Sequence, residues 1–280
     1  MRSIPTALSA LTLEQIAAIT TNDFGDCADI LGQTDSFSTV QEEALALKAK
    51  ETWGPTNGWN SSNIDNAGRI LQGLSVNDLN TLTLSEDQIF TMGTYEDWEE
   101  SKKKALFTNY LTLAGHSDAS TITGSQLQSL SHIVCGAETS QLSQISPTNY
   151  GAAADSIGDL TSCSEQQLTE LATLAKTYYS SDITAWTDAT ITELGIVIGG
   201  LPSTDIAQLT ESHIDAIESG DIYYLPPTTL SYFSTTQFGY FSSAQAQAVS
   251  EGQRNALSSE QISALESAAG ISFSTTHSSE

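Results

Sequence analysis

From Leu201 to Leu265 the chain reads LPSTDIAQ, LTESHIDA, IESGDIYY, LPPTTLSY, FSTTQFGY, FSSAQAQA, VSEGQRNA and LSSEQISA before closing on Leu265. An apolar anchor opens every octad: Leu201, Leu209, Ile217, Leu225, Phe233, Phe241, Val249, Leu257 and Leu265. A second apolar row follows five residues later, at Ile206, Ile214, Ile222, Leu230, Phe238 and Ile262, with Ala246 and Arg254 as its weak members. A fixed period of this kind decides the fold before any local propensity does. Eight helical residues at about 100° each leave successive anchors roughly 80° apart, so one unbroken helix would scatter them around its circumference. The chain must instead break at every unit into helices of one or two turns.

The corners carry their own chemistry. A Ser or Thr three residues before a Gln is a capping box, in which the hydroxyl takes an N3 amide and the Gln reaches back to the cap amide. Ser234/Gln237, Ser242/Gln245 and Ser258/Gln261 fit it inside the octads; Thr12/Gln15, Ser85/Gln88, Thr123/Gln126, Ser164/Gln167 and Thr190/Glu193 fit it elsewhere. Pro202, Pro226 and Pro227 suit first helical turns, because proline lacks an N–H that would be unpaired there anyway. Helices this short are unstable alone, so they must stack on one another. The expected architecture is all-α: an α-solenoid of short stacked helices, one elongated helical-repeat domain over residues 1–270, with longer helices in 1–116 and eight-residue-type units in 117–270. Residues 271–280 read as a flexible polar tail, after a stop at Gly270.

Outside the octads, Val40 to Trp53 reads as an amphipathic helix stopped by Gly54-Pro55, and Ser62 to Leu74 as another. Thr94 to Leu113 is the longest helical reading. Its Glu96, Asp97, Glu99 and Glu100 precede Lys102, Lys103 and Lys104, an order that suits the helix dipole and a solvated, ion-paired face. Asp23, Asp26 and Asp29 read as a solvated acidic turn, because the ligand pattern of a calcium loop is absent.

Nine basic residues stand against 34 acidic ones, a formal charge of −25. Such a surface repels phosphate backbones and anionic lipid heads, which argues against nucleic acid and direct membrane binding. No run of eighteen apolar residues occurs, so no span or membrane insertion is expected. The opening Met-Arg-Ser-Ile-Pro leads directly into a repeat unit, and the expectation is a secreted protein whose targeting segment lies outside this sequence. Asn60-Ser61-Ser62 is a sequon, making Asn60 a glycosylation candidate in that setting.

Few reactive groups converge. Gly115-His116-Ser117-Asp118 is a partial match to a nucleophile elbow, but Ala119 replaces the closing glycine and no strand precedes it. No phosphate loop, dinucleotide fingerprint or zinc motif is present, so no enzyme, cofactor or metal is expected. Among the crowded aromatics, Phe233, Phe238 and Phe241 occupy core positions. Tyr232 and Tyr240, each beside an anchor, are the candidate interface residues. Of three cysteines, Cys135 and Cys163 bracket several short units; spacing alone leaves a bridge and a pair of buried thiols equally open.

The segment from Cys135 to Leu171, with Gln-Leu-Ser-Gln-Ile-Ser-Pro in its middle and Asp159-Leu160-Thr161-Ser162-Cys163 before Gln166-Gln167-Leu168, resembles the mesothelin, stereocilin and otoancorin family. Ile183-Thr184-Ala185-Trp186 and Leu201-Pro202-Ser203-Thr204-Asp205-Ile206-Ala207-Gln208-Leu209 continue the resemblance, which is clearest over residues 120–270. It implies an armadillo-like right-handed superhelix and a disulfide joining Cys135 to Cys163. It also implies an extracellular, secreted or cell-surface adhesion or scaffold protein whose partner is an extracellular protein, glycoprotein or matrix component. A self-assembling structural protein, a homo-oligomer or filament stacked through its solenoid ends, is the alternative. Family members often end in a lipid-anchor signal, and Ser272 to Glu280 has no hydrophobic tail of that kind.

Overall fold

The computed structural model describes residues 8–273. Among the described residues every regular element is helical, most of them one or two turns long, so the chain is an all-α helical repeat. Contacts divide it into two compact units. One holds the residues up to Thr121 together with Ser129–Glu138; the other holds Ile122–Gln128 and the chain from Thr139 onward.

In the second unit both apolar rows are inside. Every anchor from Leu201 to Leu265 is at most 9% exposed, and Ile206, Ile214, Ile222, Leu230, Phe238 and Ala246 are fully buried. Phe233, Phe238 and Phe241 pack with ring centroids 5.1–6.0 Å apart. Arg254, the charged member of the second row, keeps its stem in the stack, donates to the Val249 carbonyl and lies against the Phe273 ring. That contact, with a hydrogen bond from the Phe273 amide to Glu266, pins the start of the expected tail. The rest of it, from residue 274, lies outside the described residues.

The capping-box glutamines do more than cap. Gln245 accepts the Ser242 amide on Oε1 at 2.8 Å, while its Nε2 donates to the carbonyls of Ile214 and Ile217 at 2.7 Å each. Gln237 donates in the same way to Ile206 and Leu209, and Gln253 to Ile222 and Leu225. Gln261 donates to Ser231 and Phe233. Each of these four octads is thus tied to carbonyls 28 to 31 residues back in the stack. Those carbonyls belong to short-helix ends, which have no intrahelical donors. The tie recurs with other residues: His213 caps Thr210 through Nδ1 and bonds the Trp186 carbonyl through Nε2 at 3.0 Å. In the first unit Gln41 spans Ser38 and the Ser9 and Leu11 carbonyls.

A longer period overlies the octads. Three long helices, α1 (Thr39–Trp53), α2 (Glu100–Leu113) and α3 (Glu165–Tyr178), each pack on a 3₁₀ segment: Gly68–Gly73, Ser131–Gly136 and Gly195–Gly200 respectively. Each 3₁₀ segment starts at a positive φ, 48°, 45° and 46°, and ends in a glycine against the fourth residue of its helix. A Cβ on Gly73, Gly136 or Gly200 would stand 2.0–2.2 Å from the carbonyl oxygen of Glu42, Lys103 or Leu168. Ser131 alone meets the positive φ without being glycine. Relief of about 1–3 kcal/mol of strain, less about 0.5–1 kcal/mol for glycine's extra freedom when unfolded, gives an expected gain of about 1 kcal/mol for Ser131→Gly in urea melts.

Several local expectations shift for the same reasons. The helix read over Ser62 to Leu74 is broken at Gly68 into Ser61–Ala67 and the 3₁₀ segment. Residues 94–99 are irregular, and α2 starts only at Glu100, because Trp98 is buried with its indole N–H bonded to the Met92 carbonyl. Of the lysine triplet only Lys104 is solvated, paired with Glu138 at 2.6 Å. Lys102 and Lys103 are 6% and 4% exposed, and Lys102 bonds the Gln72 carbonyl at 2.6 Å, closing the first 3₁₀ segment. Asp23, Asp26 and Asp29 ride the exposed side of helix Thr21–Gly32 rather than a turn. The box read at Thr190/Glu193 is one turn late: Thr187 is the cap, Thr190 lies inside the helix and Glu193 accepts the Tyr179 hydroxyl.

Candidate interaction surface

In the second unit a groove of about 370 Å³ runs between α3 and the loop that leaves the 3₁₀ segment. Lys176 of α3 reaches Asp205 at 2.5 Å, and the Thr229 hydroxyl donates to the Gly199 carbonyl at 2.5 Å. Thr169, Thr173 and Thr228 line it with hydroxyls, and Tyr232 forms its aromatic wall. The first unit builds the equivalent groove, about 430 Å³, from α1 and residues 73–78. There Lys50 pairs with Asp78 at 2.9 Å and Lys102 takes the place of Thr229. Burial raises the Asp78 carboxyl, but hydrogen bonds from Lys50 and Ser75 outweigh it and hold the group below the usual carboxylate range. Where the first groove is lined by Glu43, Leu47, Val76 and Glu99, the second presents hydroxyls and an aromatic ring.

Tyr232 is 38% exposed and Tyr240 half-buried. Tyr223 and Tyr224, not singled out from the sequence, are more exposed, at 58% and 49%, and pack edge to face. Tyr224, Tyr232 and Tyr240 stand eight apart, each before an anchor, so one column of the repeat carries tyrosine in three consecutive octads. That column was the available signal for Tyr224.

The lysines are committed within the fold. Lys48, Lys50, Lys102, Lys104 and Lys176 make ion pairs, and Lys103 is buried. Exposed acidic side chains therefore dominate the surface field of the described residues. Two carboxyls are displaced upward: Glu42, by burial and then the Asp97 charge, to about 7, and Asp221, by burial and then Glu218 and Asp159, to about 6. A carboxyl raised by folding stabilises the fold while protonated and loses that contribution as pH climbs through its folded value. Glu42 is only part-buried, so screening leaves roughly 1–2 kcal/mol. Urea midpoints should accordingly be higher at pH 5 than at pH 8, and Glu42→Gln should flatten that slope.

Cys135 and Cys163 are disulfide-bonded, and Cys27 is a free thiol. Burial and the neighbouring Asp23, Asp29 and Asp26 push the Cys27 thiol up, which keeps it protonated and unreactive. Asn60 is exposed at the cap of helix Ser61–Ala67, with Oδ1 taken by the Asn63 amide. His116 is turned to Thr121 and Tyr110, while the Ser117 hydroxyl bonds Asp118, so the partial elbow brings no base to its serine. Among the described residues, no helix is long and apolar enough to cross a membrane.

Human stereocilin is 30% identical over 228 residues, 80% of this chain, and mouse stereocilin 29% identical over 227 residues. Human otoancorin is 26% identical over 215 residues, 76% of this chain. The chain belongs to the stereocilin and otoancorin family. No family model matches it. It covers 13% of the length of human stereocilin and 18% of human otoancorin, so the family match concerns one stretch of much longer relatives.

Proposed function

We propose that this chain is a non-enzymatic extracellular scaffold that binds a glycoprotein or matrix component through the Tyr232 groove and the neighbouring tyrosine column. The homology to stereocilin and otoancorin over about four fifths of the chain carries the reading. Two disulfide-bonded cysteines support it, since such bonds persist in oxidising compartments. In this reading Cys135 is bridged to Cys163, Asn60 carries a glycan, and the partner complements an acidic surface whose aromatic face is Tyr232.

The test is quantitative retention of a solubilised extracellular-matrix extract on the immobilised chain, compared with Tyr232→Ala and Tyr240→Ala. The groove reading expects about a tenfold loss for Tyr232→Ala, as an interface aromatic gives, with the far-UV circular dichroism unchanged. Undiminished retention by the variant would move the binding surface elsewhere. Rods or filaments of the chain alone in electron micrographs would replace adhesion with self-assembly.

A further inference from the structure

The irregular segment before α2 reads Thr-Tyr-Glu-Asp-Trp-Glu-Glu from Thr94 to Glu100. It places Tyr95 directly ahead of four carboxylates at Glu96, Asp97, Glu99 and Glu100; none of the other eight tyrosines has such a run. Its backbone lies in no helix from Tyr95 to Glu99 and bends at Glu96, with the Tyr95 ring stacked on Trp98 at 6.4 Å, so the acidic side chains of that stretch stand outside any regular element. Trp98 is buried and anchors the segment from within, leaving Glu96, Asp97, Glu99 and Glu100 exposed.

A second observation is independent of the acidic run. The Arg69 guanidinium lies 4.6 Å from the centre of the Tyr95 ring and, among the described residues, makes no ion pair of 4 Å or less with a carboxylate, whereas five lysines do. A cation at the ring face is one guanidinium swing from the phenolic oxygen. The Tyr95 hydroxyl itself is neither bonded to a described protein group nor among the buried unpaired atoms, so it meets solvent.

We propose that Tyr95 is a tyrosine O-sulfation site and that Arg69 holds the resulting sulfate. The inference rests on the extracellular reading, because sulfuryl transferases of this kind act in the secretory pathway. The phenolic oxygen attacks the sulfur of a nucleotide phosphosulfate. The new O–S bond forms as the bond from sulfur to the nucleotide phosphate oxygen breaks, the nucleotide bisphosphate leaves, and the phenol proton passes to a base of the transferase. The acidic flank serves recognition by a cationic cleft. Arg69 serves the product: a guanidinium pairs with a tetrahedral oxyanion through two parallel hydrogen bonds.

The experiment is expression of the full chain with a secretion leader in mammalian cells fed radioactive sulfate, followed by peptide mapping without reduction. The expected result is one phosphatase-resistant sulfate, confined to the Tyr95 peptide and absent from Tyr95→Phe. Sulfated wild type should also melt at a higher temperature than unsulfated wild type, with no such difference in Arg69→Gln. Protein in the medium with Cys135 bridged to Cys163 but Tyr95 unmodified, or carrying a phosphatase-labile group, overturns the sulfation alone. Retention inside the cell with all thiols reduced overturns the extracellular reading and the sulfation with it. Sulfation without a wild-type melting shift overturns the role of Arg69.

Discussion

Gln245→Glu is expected to cost about 3–5 kcal/mol, the loss seen when a buried charge is left without its partner. The same substitution at Gln15 should be nearly neutral. Both glutamines close a capping box through Oε1, and a glutamate can do that equally well. They differ in what Nε2 does. At Gln245, which is 3% exposed, it donates to two buried carbonyls at 2.7 Å, so a carboxylate would turn two hydrogen bonds into two oxygen–oxygen repulsions. Gln15 is exposed, and a carboxylate there remains solvated and close to a helix N-terminus, where negative charge is favourable. Urea unfolding of both variants measures the difference. The buried variant should also recover stability on acidification, since a protonated glutamate regains one donor. Similar losses at the two sites would mean that capping, not the cross-turn bond, is what the glutamines supply.

The octad rows were legible because burial repeats with them: a residue that faces the core in every unit must be apolar in every unit, and the period exposes it. The glutamines were legible only as caps. Their preference over glutamate, in a chain with 34 acidic residues, was the overlooked sign that the amide nitrogen had a task of its own. That task joins residues 28 to 31 apart, and no window long enough to read a short helix contains both ends. The lysine triplet misled for a related reason. A helical wheel places Lys102 and Lys103 at the surface of an isolated helix, but a backbone carbonyl of the preceding turn, at Gln72, sits where Lys102 would meet water. Charge patterning assigns faces correctly only when the neighbour across the face is solvent.

The long period was present as well, in GRILQG, SHIVCG and GIVIGG, 63 and 64 positions apart. It is faint because two of its constraints are backbone ones. A positive φ and a contact too close for Cβ leave no hydrophobic pattern, only a glycine or, at Ser131, a strained substitute. Of the candidate site, Tyr232 was readable as the residue beside an anchor. The groove it walls was not, since Lys176, Gly199 and Thr229 come to it from three separate stretches of the chain.

The backbone reading of those glycines makes a prediction of opposite sign for one and the same substitution. Gly200→Ala should destabilise by about 3 kcal/mol or more, at the upper end of overpacking costs. The added methyl would stand 2.0 Å from the Leu168 carbonyl oxygen, 2.2 Å from its carbon and 2.6 Å from the Thr169 nitrogen. All three atoms belong to the main chain of α3, which cannot rotate aside as a side chain would, so the whole 3₁₀ segment must lift from the helix. Lifting it uncovers Ile196, Val197 and Ile198, each at most 2% exposed. Gly220, within helix Ser219–Tyr224, has nothing within 4 Å of its missing Cβ and no positive φ. Gly220→Ala should therefore stabilise by up to about 1 kcal/mol through helix propensity. Gly73→Ala and Gly136→Ala, which face the Glu42 and Lys103 carbonyls at 2.1 and 2.2 Å, should follow Gly200. If either of them behaved like Gly220 in urea unfolding, the three long helices would not share one packing device, and the correspondence between the two grooves would lose its structural basis.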